Sequence, residues 1–273
     1  MKKHISTIML VIIFFIGLFV FLYPTISDYY NKKVGSYAIS QYDEELKNTT
    51  GEQIESILEK GAEYNKKLLT KSPKYINGAP KDEEYSYQLR VPGNDMMGYI
   101  EIDKIKVKLP IYHGTAEPVL QKGIGHIEGS ALPISGIGNH SVLSGHRGLP
   151  SAKLFTNLDK IELGDEIVIK VLGKTTRYTV TKINIVEPQD VSLLEVEADK
   201  DLITLVTCTP YGVNSHRLLV RAENSKYVKS SDIVINNDAV EIDSMYIAPI
   251  IAVPMLAIIL IGVIGVLIYK RKK

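Results

Sequence analysis

The stretch Leu202-Ile203-Thr204-Leu205-Val206-Thr207-Cys208-Thr209-Pro210-Tyr211-Gly212-Val213-Asn214-Ser215-His216-Arg217-Leu218-Leu219-Val220-Arg221 reads as two short strands around a turn. Leu202 to Thr207 is rich in β-branched and apolar residues, the composition of a half-buried strand. Pro210 stops it, because proline has no N–H to give to a ladder. Tyr211-Gly212-Val213-Asn214 supplies turn chemistry, and Leu218 to Val220 resumes extended structure. Such a hairpin brings Cys208, at the end of one strand, to Arg217, at the start of the next. Cys208 is the single cysteine in 273 residues. A thiol beside a fixed guanidinium is a nucleophile with a charge partner. A free cysteine is also commonly an inert, buried small hydrophobe, so its neighbours have to decide between the two.

The best acid or base lies upstream, in Ser141-Val142-Leu143-Ser144-Gly145-His146-Arg147-Gly148. Val142-Leu143 reads as strand, and two glycines flank His146 where that strand leaves the sheet. A histidine exposed in this way suits proton transfer. Together these stretches resemble the sortase family of Gram-positive cysteine transpeptidases. Thr204-Leu205-Val206-Thr207-Cys208 with His216-Arg217 matches the family's nucleophile and arginine motifs, and Ser144-Gly145-His146-Arg147 its histidine motif. The longer runs 144–155 and 207–221 look most like class C, the pilin-polymerising sortases. The resemblance covers roughly residues 98–222.

The resemblance implies a closed β barrel and a transpeptidation. Cys208 would attack the threonine carbonyl of an LPXTG-like signal, and His146 would protonate the leaving amine. Arg217 would stabilise the oxyanion, with Thr207 helping to orient substrate. The acceptor would be a pilin lysine amine. A housekeeping-type sortase attaching surface proteins to the cell wall is the nearest alternative, and a non-enzymatic membrane scaffold the other. A Cys–His–carboxylate triad is the alternative chemistry, although no particular Asp or Glu is marked for it.

Composition narrows the classes further. Lys and Arg total 32 against 31 Asp and Glu, a net charge of +1, so no nucleic-acid partner is implied. One cysteine makes neither a CxxC zinc site nor an internal disulfide. No phosphate-binding glycine loop follows a strand. The reading therefore contains no cofactor and no metal.

In chain order, residues 1–27 read as an N-terminal membrane anchor or a signal. Ile5 to Tyr23 is almost wholly apolar, near the lower limit of ~17–25 residues for a span, and no small-x-small cleavage site follows. Residues 28–71 read as a helical spacer, with Thr50 and Gln53 in capping-box register. Residues 72–96 hold several breakers around Lys81-Asp82-Glu83-Glu84-Tyr85-Ser86-Tyr87. In class C sortases this region is often a lid anchored by an Asp-Pro-aromatic motif. That motif is absent here, and Asp82 with Tyr85 or Tyr87 is the candidate replacement, Asp82 reaching Arg217 and a tyrosine covering Cys208. A solvated acidic loop is the plainer reading.

Residues 97–225 read as the catalytic barrel. Within it, alternation marks strands near 98–102 and 105–109. A short helix is expected over 149–158, opening at Ser151. Residues 166–172 and 175–186 read as a hairpin across Gly173-Lys174. Residues 226–244 read as a linker, 245–269 as a transmembrane helix and 270–273 as a basic cytoplasmic tail. Basic flanks outside both apolar runs put both termini in the cytoplasm and the middle on the extracellular face. Leu132-Pro133-Ile134-Ser135-Gly136 resembles a sorting signal, but no apolar span follows it, and it reads as a loop. His113, His126 and His140 are expected to satisfy polar loops, and Arg147 and Arg177 to lie on the surface.

Overall fold

The structure, a computed structural model, describes residues 2–70 and 75–227. The expected second span (245–269), its basic tail, most of the 226–244 linker and residues 72–74 of the candidate lid lie outside the described residues.

Eight strands form the domain: β1 (Met96–Ile102), β2 (Val107–His113), β3 (Ile124–His126), β4 (His140–Ser144), β5 (Glu166–Val171), β6 (Lys174–Val186), β7 (Leu202–Thr209) and β8 (His216–Asn224). They close into a barrel in the order β1-β2-β3-β4-β7-β8-β6-β5, with β5 returning to β1. Closure leaves no unpaired edge. The β2–β3 and β4–β7 pairs are parallel, and the others are antiparallel. Ile100, Ile111, Ile124, Leu143, Ile167, Ile203, Leu205 and Val220 are fully buried in the core. The β5–β6 turn is Leu172-Gly173, one residue earlier than the sequence suggests. Both residues have positive φ, 48° and 76°, and Val171 pairs with Lys174. That is the backbone a tight two-residue hairpin needs to match strand twist.

Among the described residues four α-helices accompany the barrel: α1 (Lys2–Asn48), α2 (Gly51–Leu69), α3 (Glu83–Ser86) and α4 (Glu117–Leu120). At 47 residues, α1 is about 70 Å long. Its apolar part, with Phe15, Phe19 and Val20 all exposed, is long enough to cross a membrane. The helix passes unbroken through Pro24 and through the expected anchor–spacer boundary at 27/28. Its later turns pack on the barrel. Ile39 and Tyr42 are buried, and the Tyr42 hydroxyl donates to Met97 O at 3.2 Å while accepting Leu172 N at 2.8 Å. Burial pushes that hydroxyl up to about 12. This cover explains why β1 is buried almost throughout rather than alternately. Helix α2 begins at the Thr50–Gln53 capping box, both reciprocal bonds being present.

Segment 75–95 departs from the expected lid. Tyr85 is wholly buried. Its hydroxyl lies 2.9 Å from His126 Nδ1 and 2.9 Å from His126 O, and accepts Gly114 N at 3.0 Å. Buried Glu128 accepts the backbone N–H groups of Lys81 and Asp82 at 2.7 and 3.0 Å. The segment is fastened to the barrel rather than laid over a groove.

The three histidines expected in polar loops sit instead at strand positions inside the domain. Residues 6 % exposed or less, His113, His126 and His140 belong to β2, β3 and β4. Desolvation lowers each to about 4, so they are neutral core groups. One ring nitrogen of each pairs with a backbone carbonyl, Gln88 O, Ala131 O and Glu195 O respectively, all at 2.8 Å, while His113 Nδ1 is buried without a hydrogen-bond partner among the described residues. The expected helix over 149–158 is absent. Turns lead instead to a single 3₁₀ turn at Leu158–Lys160.

Candidate active site

Backbone pairing sets the site. On the β7–β8 hairpin Cys208 stands directly opposite Arg217. Opposed residues in an antiparallel pair project to the same face with Cβ atoms about 5 Å apart. On the other side β7 runs parallel to β4, with Ser144 paired to Val206. Gly145 N extends the ladder by donating to Val206 O at 3.1 Å. Two steps past Ser144 is His146, and two steps past Val206 is Cys208. Exposure alternates through both segments: Gly145 and Arg147 are buried and His146 is part-exposed, while Thr207 and Thr209 are buried and Cys208 is part-exposed. The period of two therefore puts His146 and Cys208 on one outward face, with Arg217 beside them.

The histidine segment needs its first glycine. A Cβ at position 145 would lie 2.6 Å from Phe155 Cδ2 and 2.7 Å from Ile124 Cδ1. Gly148 has φ of +76°, a conformation that L side chains avoid. These two positions let the chain leave β4 tightly enough to hold His146 near the sheet.

The side-chain partners are specific. His146 Nε2 lies 3.3 Å from Glu117 Oε2 on α4. Hydrogen bonding from Gln121, then from His146, holds the Glu117 carboxyl below the usual range. The Arg217 guanidinium donates to His216 O at 3.0 Å and Asn214 O at 3.3 Å. It is thus folded back on its own turn, leaving other N–H donors for a ligand. Helix α1 reaches the segment that follows the histidine. Asp28 accepts Lys153 N at 2.8 Å, and Asn31 donates to Ser151 O at 2.6 Å.

The structure places the other four expected positions as follows. Thr207 is 2 % exposed and gives its hydroxyl to Gly145 O at 2.8 Å. Strand alternation turns it away from Cys208's face, so it is not placed to touch substrate. Asp82 uses its carboxylate to cap α3 through Glu84 N at 2.8 Å, and among the described residues no ion pair joins it to Arg217. Tyr85 is core, as described above. Tyr87 is 66 % exposed, with Arg90 5.8 Å from its ring centroid. Burial against His126 takes Tyr85 out of the candidates for covering Cys208.

Arg147, expected on the surface, is 8 % exposed. It pairs with Asp159 and donates to Thr209 Oγ1 at 3.1 Å. Exposed Arg177 pairs with Glu166. His216 lies 3.3 Å from Glu187 Oε1. Period two from His146 and Cys208 was signal enough to place Arg147 and Thr209 inward; nothing local marked Asp159 or Glu117. Among the described residues no group of acidic, histidine or cysteine side chains could hold a metal ion.

A sortase domain model matches residues 100–225. Sortase A of Staphylococcus aureus (strain NCTC 8325 / PS 47) is 30 % identical over 218 residues, 77 % of this chain and 91 % of that protein. Sortase D of Bacillus subtilis (strain 168) is 29 % identical over 148 residues, 53 % of this chain and 72 % of that one. Among solved structures, sortase C1 of Streptococcus agalactiae superposes with a TM-score of 0.66 at 44 % identity, covering 74 % of this chain and all of that one. Sortase C of Streptococcus pneumoniae, a structure described for catalysis and pilin substrate specificity, gives 0.65 at 36 % identity, over 69 % and 96 %.

Proposed function

This chain belongs to the sortase family, whose members are cysteine transpeptidases, and on that premise we propose that it is a class C enzyme that polymerises pilins. The observation that carries the reading is the Cys208–Arg217 rung with His146 two residues past the end of β4, the parallel neighbour of the same strand.

Cys208, as thiolate, attacks the threonine carbonyl carbon of an LPXTG-like signal. The carbon–nitrogen bond to glycine breaks, and His146 gives a proton to the departing amine. A thioester remains. A lysine amine of the next subunit attacks it, His146 takes the proton back, and the thiolate leaves. One hard acyl transfer becomes two easier ones. Arg217 donates to the oxyanion at each tetrahedral stage, the point where fixed donors count most. The apolar part of α1 anchors the enzyme with its barrel on the extracellular face.

The full-length enzyme in detergent, incubated with candidate pilins, is expected to produce covalent ladders that Cys208→Ala and His146→Ala abolish. Joining of the signal to a short cell-wall peptide amine, with no ladder from pilin, would assign the housekeeping role. The 91 % coverage of a Sortase A makes that the second reading to test.

A further inference from the structure

We propose that Arg147 is a positioning residue which, with Thr209 and Asp159, holds His146 and Cys208 in register. The proposal rests on the reading of those two as the catalytic pair.

Two side-chain ties flank that pair. On one side, Thr207 Oγ1 donates to Gly145 O at 2.8 Å. On the other, an Arg147 N–H donates to Thr209 Oγ1 at 3.1 Å. The first tie joins the residue before Cys208 to the residue before His146; the second joins the residue after each. Between Gly145 and the far end of these segments the backbone ladder has stopped, since β4 ends at Ser144 and the last β4–β7 rung is Ser144 with Val206. Past that point Gly145 N to Val206 O is the continuing backbone bond. The Arg147–Thr209 bond therefore does for the histidine step what the ladder does for the strands below it.

A guanidinium this deeply buried is costly unless paired. Asp159, itself 14 % exposed at the side chain, supplies the charge. It comes from the 3₁₀ turn Leu158–Lys160. Tyr211, from the turn after Cys208, lies with its ring centroid 6.0 Å from Arg147 Cζ. One planar fork thus links the histidine segment, the turn at 158–160 and the cysteine hairpin, an arrangement that a lysine point charge does not reproduce. Thr209 and Arg147 both face inward, 6 % and 8 % exposed. They act on the reaction through their neighbours rather than by touching substrate.

The test uses the full-length protein in detergent and a peptide carrying an LPXTG-type signal. Thr209→Val keeps the shape and removes the acceptor, while Thr209→Ser keeps the hydroxyl. Small misplacements of reacting groups cost on the order of 10²-fold in rate. Thr209→Val is expected to lower kcat per folded molecule roughly 10- to 100-fold, with KM within about twofold and a modest fall in melting temperature from the Arg147 N–H left unpaired, too small to account for the loss in kcat. Thr209→Ser is expected to restore kcat to within about threefold. Arg147→Lys is expected to fall with Thr209→Val. Unchanged kcat in Thr209→Val, or a loss that Thr209→Ser does not recover, overturns the proposal. So does a loss that follows melting temperature rather than kcat. Cys208→Ala measured alongside separates the two levels: an active Cys208→Ala defeats the catalytic reading itself, whereas a dead Cys208→Ala with an undisturbed Thr209→Val defeats only this one.

Discussion

The strand ends that carry Cys208 and Arg217 and the segment that carries Tyr85 belong to the same domain but are held by different means. Cys208 and Arg217 are placed by a ladder: each successive rung from Leu202–Glu223 to Thr209–His216 fixes the next. Tyr85 is held by one buried hydroxyl shared between His126 and Gly114, within a four-residue helix. The first arrangement is local in sequence and redundant. The second joins residues 41 apart and depends on single atoms. The contrast predicts that damage at the hairpin appears as lost chemistry on an intact fold, and damage at Tyr85 as lost fold with the chemistry intact per folded molecule.

The largest expected effect is at the hairpin. Arg217→Lys should lower kcat about 10²- to 10³-fold, the usual loss when an oxyanion donor is removed, because an ammonium does not present a planar fork. Thermal melting should hardly move, since its hydrogen bonds go to backbone carbonyls of its own turn. A large fall in melting temperature with kcat preserved would reverse the contrast.

Tyr85→Phe comes next. It removes the partner of Gly114 N and of a His126 ring nitrogen, and a buried group left unsatisfied costs about 1–3 kcal/mol. Denaturant melts should show that loss, and turnover per folded molecule should stay near wild type. Altered thiol labelling of Cys208 in Tyr85→Phe would instead return the segment to a lid role.

The buried histidines give a pH test of the same scaffold. His113, His126 and His140 are lowered to about 4 by desolvation, against an unfolded value near 6.5. Between those values the unfolded chain binds more protons, so stability is complete above about pH 6.5 and falls as pH drops toward 4. Each histidine contributes roughly 1 kcal/mol per pH unit in that window. His140→Gln should flatten the slope of stability against pH between 6.5 and 4; an unchanged slope would mean that His140 is not buried neutral.

The smallest effect belongs to α1. Asp28→Ala removes the acceptor of Lys153 N, an exposed contact worth about 1 kcal/mol or less. It should raise amide exchange at Lys153 without altering the exchange of β7.

What the sequence makes legible follows the same division. The hairpin, its turn residues and the lone cysteine lie within twenty residues, so propensity and alternation are enough to pair Cys208 with Arg217. The glycines around His146 mark a chain leaving a sheet. Thr207 reads as a substrate residue from its motif, whereas alternation argues otherwise, since a residue next to an outward cysteine faces in. Tyr85 reads as a lid in sequence because breakers and acids surround it. Its partner His126 is a strand residue that a linear reading cannot pair with it. Arg147 looks like surface for the same reason: Asp159, which makes its burial tolerable, is brought near only by the fold.

The most direct test of the central claim is capture of the acyl-enzyme. The full-length enzyme is mixed with an LPXTG-type peptide without amine acceptor, acid-quenched, and digested for mass spectrometry. The account predicts the N-terminal part of the peptide joined as a thioester to the fragment bearing Cys208, in wild type and at much reduced yield in His146→Ala and Arg217→Lys. Peptide cleavage at wild-type rate by Cys208→Ala, with no adduct at that residue, would contradict it.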